Sequence, residues 1–345
     1  MAARRVLVTG VSHDLGGRLT QLLSADPGVE QVVGVDTVPP TAEIGRAQFV
    51  RADIRNPLIA KVIATSGIDT VVHMNVLATP VGAGGRAAMK ETNVIGTMQL
   101  LAACQKAASV KTLVIKSTAA VYGTSPRDPA LFREDTEPRS LPRSGYAKDA
   151  VEVEGYVRGF ARRRPDVAVT VLRFTNFIGA DIDSTLTRYF ALPVAPTVFG
   201  FDPRLQLCHA DDALAVLRLA AAGERPGVFN VAGEGVLLLS QALRRLGRLS
   251  VPVLPPAVTI TGQVLRRFGM ADFSPEQMRF FEHGRCLDIR ALRERFGYQP
   301  QFTSAEAFED YARHRPGPLR GAPYAAAEQA VLGLLERRRA VRVDA

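Results

Sequence analysis

The feature that most constrains the fold is a regular alternation of short apolar runs and helical patterns over about the first 175 residues. Apolar runs without polar alternation are typical of strands that are covered on both faces. Strands that alternate with helices predict an α/β fold, a Rossmann-type doubly wound parallel sheet. The predicted strands lie at 4–10, 31–36, 47–53, 69–74, 111–117 and 167–174, and the predicted helices within 15–25, 56–67, 86–107 and 146–164.

After Asn176 the alternation loosens, which predicts a smaller C-terminal substrate lobe beside the Rossmann domain. The apolar run 227–233 reads as a short strand that returns to the main sheet. A last amphipathic pattern, at 324–339, suits packing on the body, on a partner or on an anionic membrane surface. The predicted domains are a Rossmann domain at 1–175 with 205–233, a substrate lobe at 176–204 and 234–311, and a linker with a C-terminal helix at 312–345.

Composition narrows the class of protein. The chain has 345 residues, of which 47% are hydrophobic and 22% charged, an ordinary globular balance. No apolar run reaches the roughly 18 residues that a membrane span needs, and the first residues do not resemble a signal peptide. Cys104, Cys208 and Cys286 are odd in number and lie outside any metal-ligand spacing. They favour a reducing, cytoplasmic setting with buried thiols and no metal site.

The net charge of +9 comes mainly from arginine. Clusters of arginine are typical of solvated helix faces, and the next interpretation is a preference for small anionic ligands such as nucleotide diphosphates. No helix-turn-helix, zinc or aromatic RNA-binding pattern accompanies the charge, so nucleic acid is a poor candidate partner.

A glycine-rich turn, LVTGVSHDLGGRL, follows the first predicted strand and opens the first predicted helix. Glycines at such a turn let backbone amides and the helix N-terminus approach a pyrophosphate, because no β-carbon blocks the approach. The turn resembles the Thr-Gly-x-x-Gly-x-x-Gly motif of the short-chain dehydrogenase/reductase superfamily. Thr9, Gly10 and Gly16 occupy three of its four defined positions, Leu15 lies beside them, and His13 replaces the middle glycine. Two interpretations stand: His13 contacts a phosphate, or a locally rearranged loop tolerates it.

Two further carboxylates complete the predicted cofactor site. Asp36 ends the second strand, where a carboxylate accepts the adenosine ribose hydroxyls and repels a 2′-phosphate. We therefore expect NAD rather than NADP. Asp53 and Ile54, after the third strand, match the adenine-edge contact of the same superfamily.

The resemblance extends along most of the chain. The segment VVHMN, with His73, looks like the fourth strand beside the cofactor, and TNVIGT carries Asn93, which family members use to brace the active site. The segments STAAVYG, LRFTNFIGA, HADDALAVL, GVFNVAG and LDIRALRERFGYQP then follow in the order seen in extended short-chain dehydrogenases. The chain is most similar to UDP-glucose 4-epimerase-like members of the NAD-dependent epimerase/dehydratase family.

The resemblance implies a catalytic tyrosine at Tyr146, which removes a hydroxyl proton as hydride leaves for the nicotinamide. Family members carry a lysine four residues later on the same helix face, where it stabilises the phenolate. Ala150 holds that position here, and Lys148 points almost the opposite way. We predict that Lys148 is a solvated helix residue.

Three further roles follow from the resemblance. Thr118 matches the substrate-binding hydroxyl, and Lys116, on the same strand face, is a candidate for the missing cation. Asn176 matches a residue near the substrate diphosphate. Leu205 replaces the usual diphosphate-binding arginine, with Arg204 beside it.

Two functions remain open from sequence. The first is an NAD-dependent epimerase, dehydratase or dehydrogenase that acts on a nucleotide sugar, slowed or specialised by Ala150. The second is a catalytically weakened protein that binds NAD or a nucleotide sugar in a regulatory or scaffold role. By analogy of fold, a homodimer is expected.

Overall fold

The computed structural model describes residues 4–78, 84–139, 141–142, 145–192, 194–254 and 275–315. The predicted C-terminal helix, and all of the predicted linker beyond residue 315, lie outside the described residues. The predicted fold class is confirmed: a parallel seven-stranded sheet is flanked by helices on both faces.

Seven strands form the sheet. They are β1 (Arg4–Thr9), β2 (Val29–Asp36), β3 (Gln48–Arg51), β4 (Thr70–His73), β5 (Thr112–Thr118), β6 (Ala168–Phe174) and, later in the chain, β11 (Gly227–Val231). Their spatial order is β11-β6-β5-β4-β1-β2-β3, and every neighbouring pair is parallel. The order reverses between β1 and β4, which is where doubly wound sheets bind ligands.

Helices cover both faces because successive strand residues point to opposite sides. On one face α1 (Asp14–Ala25) and α7 (Ala210–Ala222) pack on Val6, Val8 and Val114. The other face holds α2 (Leu58–Thr65), α4 (Thr97–Lys106) and α5 (Gly145–Arg163) against Leu7, Leu113 and Ile115.

The predicted long helix at 86–107 is interrupted. It begins as α3 (Arg86–Lys90), passes through a π-helix at Glu91–Gly96 and continues as α4. Short π-helical turns are frequent at functional sites, because the extra residue re-aims the side chains around it. Asn93 lies in this turn.

The remaining elements belong to the C-terminal half, with one separate core cluster that includes Tyr189, Phe190, Phe308 and Tyr311. The strand 227–231 does return to the main sheet, beside β6. The elements are β7 (Asn176–Ile178), α6 (Thr185–Ala191), β8 (Val194–Val198), β9 (Arg204–Leu205), β10 (Leu207–His209), β12 (Leu237–Leu238), α8 (Leu239–Leu246), β13 (Leu249–Val253), α9 (Pro275–His283), a π-helix (Leu292–Phe296) and α10 (Ser304–His314).

Candidate functional site

The predicted site residues gather at the carboxyl edge of the sheet. Thr9, Asp36, His73 and Thr118 are the last residues of β1, β2, β4 and β5, so the strand ends bring them to one edge. The sequence order of the strands hides this proximity, and the parallel sheet creates it.

The loop after β1 is a close-packed cradle. Gly10 adopts a φ of +77°, a conformation that favours glycine. A β-carbon on Gly16 would lie 2.1 Å from the carbonyl oxygen of Gly10, which is far inside van der Waals contact. The two glycines therefore let helix α1 start directly against the loop backbone, with its N-terminal amides free for an anion.

His13 is the residue before helix α1 and has an extended backbone, with φ −88° and ψ 148°. This conformation needs no glycine, which explains how the loop accepts a side chain there. Its imidazole makes no capping hydrogen bond to the helix. Loss of solvation and the positive charge of Lys116 lower the pKa of His13, and Asp36 opposes them. The ring is therefore mainly neutral at pH 7.

Asp36 ties the cradle to β2. Its Oδ2 accepts a hydrogen bond from the backbone N–H of Ser12 at 3.0 Å, and its Oδ1 accepts one from Thr37 at 2.7 Å. Asp36 is only 6% exposed, so its carboxylate lies beneath the loop, at the position predicted for the ribose contact.

The predicted adenine-edge residues are engaged within the protein. The Asp53 carboxylate accepts hydrogen bonds from the Arg55 guanidinium, the shortest at 2.6 Å, and this pairing lowers the pKa of Asp53. Ile54 is buried, and its side chain packs where a β-carbon on Gly96 would collide with it at 2.7 Å. Their contact with adenine stays a prediction.

His73 and Asn93 brace the edge from behind. The fully buried His73 ring lies 2.8 Å from the Thr9 hydroxyl and 2.9 Å from the Thr97 hydroxyl, and burial lowers its pKa to about 3. Asn93 accepts from the Leu77 N–H at 2.7 Å and donates to its carbonyl at 2.9 Å. Both nitrogens of His73 are thus occupied, so its ring holds the cradle in place.

Tyr146 lies in the first turn of α5, directly after Gly145, whose φ is +68°. Thr118 is its hydrogen-bonding neighbour, which brings the two predicted hydroxyls together. The pKa of Tyr146 is raised to about 12: loss of solvation is the largest cause, the Thr118 hydrogen bond opposes it, and the negative charges of Asp149 and Glu154 add to the increase.

The helix positions around Tyr146 contain no lysine aligned with it. Ala150 is 1% exposed and packs in an apolar cluster with Val121, Tyr122 and Phe132. The Lys148 ammonium lies 3.9 Å from Glu152 and its side chain is 44% exposed, in agreement with the predicted solvated residue.

The Lys116 side chain extends from β5 to the segment that follows β4. Its ammonium donates to the carbonyl oxygen of Val76 at 3.2 Å, and burial lowers the pKa of Lys116 to about 8. Within the described part of the chain, no carboxylate lies at ion-pair distance from it.

A buried polar network supports the back of the site. Glu154 accepts from the Ser117 hydroxyl at 2.6 Å and from the Arg173 guanidinium at 2.7 Å. Arg173 also donates to the Tyr122 hydroxyl at 2.8 Å, and that hydroxyl donates to Asn230 at 2.7 Å. The network links β5, α5, β6 and β11, so it fixes the strand that carries Thr118.

The predicted substrate residues lie on the C-terminal side of this edge. Asn176 is half-buried on β7, and Arg204 is exposed on β9. His209 and Asp212 bind within the protein: the His209 ring lies 3.3 Å from the Asp310 carboxylate, and Asp212 accepts from the Tyr298 hydroxyl at 2.6 Å.

Sequence reasoning missed Arg285. Its backbone forms an isolated bridge with Leu205, and its guanidinium donates to the Gly123 carbonyl at 2.9 Å and to the Thr124 hydroxyl at 2.7 Å. Burial lowers the pKa of Arg285 to about 10, so it stays charged at pH 7. Among the described residues it has no carboxylate at ion-pair distance. The sequence signal is only one arginine among 43 lysines and arginines.

The described residues also bear on two other classes of site, metal centres and membrane spans. No group of three or more histidines, cysteines or carboxylates there is arranged to hold a metal ion. No described helix has the length and hydropathy to cross a membrane. The three cysteines are free and buried.

Comparison with known proteins identifies the family. Residues 6–232 match the sequence model of the NAD dependent epimerase/dehydratase family. The chain belongs to this family. An uncharacterized protein of Mycobacterium tuberculosis is 49% identical over 314 residues, which cover 90% of this chain and 84% of that protein.

Solved structures of epimerases share the fold. UDP-glucose 4-epimerase of Thermotoga maritima, crystallised with UDP-glucose, superposes with a TM-score of 0.69 at 20% identity, covering 90% of this chain and 98% of its own. UDP-glucuronic acid 4-epimerase of Bacillus cereus, in complex with NAD, gives a TM-score of 0.66 at 19% identity, with coverage of 90% and 98%. At these identities the likeness establishes the fold and leaves the substrate open.

Proposed function

We propose that the protein is an NAD-dependent oxidoreductase of the epimerase/dehydratase type that acts on a nucleotide sugar. The observation that carries the proposal is the pairing of Tyr146 with Thr118 at the sheet edge that also holds the glycine cradle. An acid–base hydroxyl beside a nucleotide-binding edge is the arrangement that alcohol oxidation needs.

The described residues fit the cofactor. Gly16 leaves space that a β-carbon would fill, and the loop amides and helix N-terminus suit a pyrophosphate. Asp36 suits ribose hydroxyls, which favours NAD over NADP. Thr175, one residue after the register partner of Thr118, is buried and its hydroxyl has no hydrogen-bond partner. A buried hydroxyl without a partner is expected to meet a polar group of a ligand.

The chemistry of the chain's residues follows from this placement. Thr118 orients a substrate hydroxyl, and Tyr146 as phenolate accepts its proton. The C–H bond of the same carbon breaks and a C=O bond forms. The glycine cradle and Asp36 would hold NAD, which would supply the hydride acceptor for that carbon.

Arg285 supports an anionic substrate. The guanidinium has no described carboxylate within ion-pair distance, although the negative charge of Asp128 raises its pKa, and a diphosphate would be a suitable further anion. Its hydrogen bond to Thr124, six residues after Thr118, supports a position on the substrate side of the edge. Asn176 and Arg204 remain proposed substrate contacts. UDP sugars are the first candidates, because related structures were solved with UDP-glucose.

A second candidate function is binding of NAD or a nucleotide sugar with little turnover. The observation in its favour is Ala150, an alanine buried among apolar groups where the family resemblance implies a lysine. With the Tyr146 pKa at about 12 and no cation on its helix face, the phenolate is scarce at neutral pH.

One experiment separates the two functions. Calorimetric titration with NAD and NADP establishes the cofactor, and chromatography then follows conversion of UDP-glucose, UDP-galactose and UDP-glucuronic acid. We expect NAD binding and conversion that Tyr146→Phe abolishes. Tyr156→Phe, which removes the hydroxyl of a 40% exposed tyrosine of the same helix, is the matched control and should keep full activity. NAD binding without any conversion favours the second function, and no NAD binding at millimolar concentration rejects the first.

We also propose a homodimer in the cytoplasm. Ile95, Met98 and Tyr156 are large side chains that stay exposed on the outer faces of α4, α5 and the π-helix. Two such helices per subunit suit a self-complementary contact. Light scattering should give a molar mass of two chains for the native protein. The Met98→Glu variant should have the molar mass of a single chain.

A further inference from the structure

The raised pKa of Tyr146 poses a problem for any proton transfer at neutral pH. With the Tyr146 pKa at about 12, roughly one molecule in 100,000 carries the phenolate at pH 7. The nearby charges make this worse, because Asp149 and Glu154 are both negative and both raise that pKa. A base at this position therefore needs a positive charge close by.

Three cations on or against helix α5 are already paired with carboxylates. Lys148 pairs with Glu152 at 3.9 Å. Arg86 makes two bonds of 2.7 Å to the carboxylate of Asp149, and Arg173 binds Glu154 at 2.7 Å. Each of these charges is offset by its own carboxylate.

Lys116 is different. It extends from the strand face that also carries Thr118, and its ammonium is held at 3.2 Å by the carbonyl of Val76. That carbonyl belongs to the segment after β4, one residue before Leu77, which Asn93 fixes through two backbone hydrogen bonds. No described carboxylate lies within ion-pair distance of the ammonium.

The charge of Lys116 reaches into the cleft. It lowers the pKa of His13 in the cradle and the pKa of His73 at the end of β4. An uncompensated charge acts over such distances because the surroundings are poorly polarisable. Lys116 is thus an unneutralised cation in the nucleotide cleft, on the strand that also presents Thr118 to Tyr146.

We propose that Lys116, delivered from strand β5, is the electrostatic partner of Tyr146 and stabilises its phenolate in place of a cation on helix α5. The proposal rests on the proposed function, since it assigns a role within that reaction. It makes Lys116 a positioning residue that acts through Tyr146, and it predicts a pH signature that a merely structural lysine would not give.

The signature follows from proton counting. In the active form Tyr146 is a phenolate and Lys116 is an ammonium. This form carries the same number of protons as the form in which Tyr146 is a phenol and Lys116 is a neutral amine. The rate should rise about tenfold per pH unit up to the Lys116 pKa of about 8 and then level off. In Lys116→Met, the rate should be at least tenfold lower at pH 7 and should keep rising past pH 8, because a neighbouring cation shifts a pKa by about one unit or more.

A spectroscopic arm needs neither cofactor nor turnover. Arginine stays charged at high pH, so Tyr146 should ionise at least about one pH unit lower in Lys116→Arg than in Lys116→Met. Its phenolate absorbance is isolated by subtracting the matching Tyr146→Phe double variants and is read by stopped-flow pH jump, before the chain unfolds. Lys148→Met is the control, and its pH–rate profile should match the native protein.

The outcomes separate the two proposals. If Tyr146 ionises at the same pH in both Lys116 variants, or if Lys116→Met still levels off at pH 8, Lys116 is not its partner. If the native chain binds no NAD, the proposed function fails, yet the absorbance comparison still decides the role of Lys116. Circular dichroism checks folding, and Lys116→Gln replaces Lys116→Met if the latter does not fold.

Discussion

The loop after β1 and the meeting point of β5 and α5 are two halves of one edge, and they tolerate change differently. In the loop, backbone groups make the site: a β-carbon on Gly16 would lie only 2.1 Å from the carbonyl oxygen of Gly10. At β5 and α5, side chains make the site, and a buried alanine stands at position 150 while a desolvated lysine stands at position 116.

The difference teaches which parts of such a site are interchangeable. A backbone cradle has one geometry, so it accepts a new residue only where the dihedral angles allow it, as at His13 with its extended φ of −88°. A charge acts through space, so it can come from another element. The following predictions test this contrast, from the largest expected effect to the smallest.

Replacing Gly16 with alanine should abolish measurable NAD binding and destabilise the fold by about 1–3 kcal/mol, because the new β-carbon collides with the Gly10 carbonyl. Calorimetry with NAD and thermal unfolding measure both effects. The control is Gly155→Ala, also within a helix, where the nearest atom to the new β-carbon is the flexible end of the Arg158 side chain of the same helix, at 3.8 Å. That variant should gain about 0.4–1 kcal/mol in stability, and equal behaviour of the two variants contradicts the cradle.

His73 links the end of β1 to helix α4 and should make stability depend on pH. The pKa of His73 in the folded chain, about 3, lies below the ordinary value of 6.5. Between these two pH values the imidazole is protonated in the unfolded chain and neutral in the folded chain. Lowering the pH through this window should therefore reduce the free energy of unfolding, by up to about 1.4 kcal/mol per pH unit. Urea titrations at pH 4, 5, 6 and 7 measure the slope. His73→Gln should flatten it, and an unchanged slope rejects the assignment.

Ala150→Lys tests whether the helix position can still accept a cation. The side chain would enter the cluster around Val121, Tyr122 and Phe132, so we expect a loss of about 1–3 kcal/mol in the free energy of unfolding. Because Lys116 already supplies the charge, turnover should rise little in this background and more in Lys116→Met. A large gain in the native background would instead show a site that lacks its cation altogether.

Lys148→Met should change stability by less than about 0.5 kcal/mol and leave turnover intact, since its ion pair with Glu152 is exposed and weak. Chemical denaturation and a turnover assay check it. A strong loss of turnover would show that Lys148 contributes to catalysis.

The sequence predicted the elements of the sheet well because its apolar runs are long and regular. It placed Tyr146 and Thr118 at one site through their motifs, and the structure shows them as hydrogen-bonding neighbours. It did not predict Arg285 beside Gly123 and Thr124, because 161 residues of chain separate the guanidinium from its threonine partner. Such contacts depend on how the C-terminal half packs, which local patterns do not record.

The interruption of the long helix was also invisible to periodicity. The site roles of the predicted residues remain predictions, with one physical refinement: the Asp53 carboxylate is held by Arg55, and both ring nitrogens of His73 are occupied. A motif specifies which residue stands where, and only the tertiary structure specifies whether its polar atoms are still free.

The π-helix at Glu91–Gly96 has a consequence for how this family of chains can vary in length. A regular α-helix turns about 100° per residue, so the wide turn sets the angular phase of everything after it. Deleting one residue there would swing Leu100, Leu101 and Cys104 by roughly that angle, away from the sheet face they now cover. Insertions and deletions should therefore accumulate in the loops and spare these six residues.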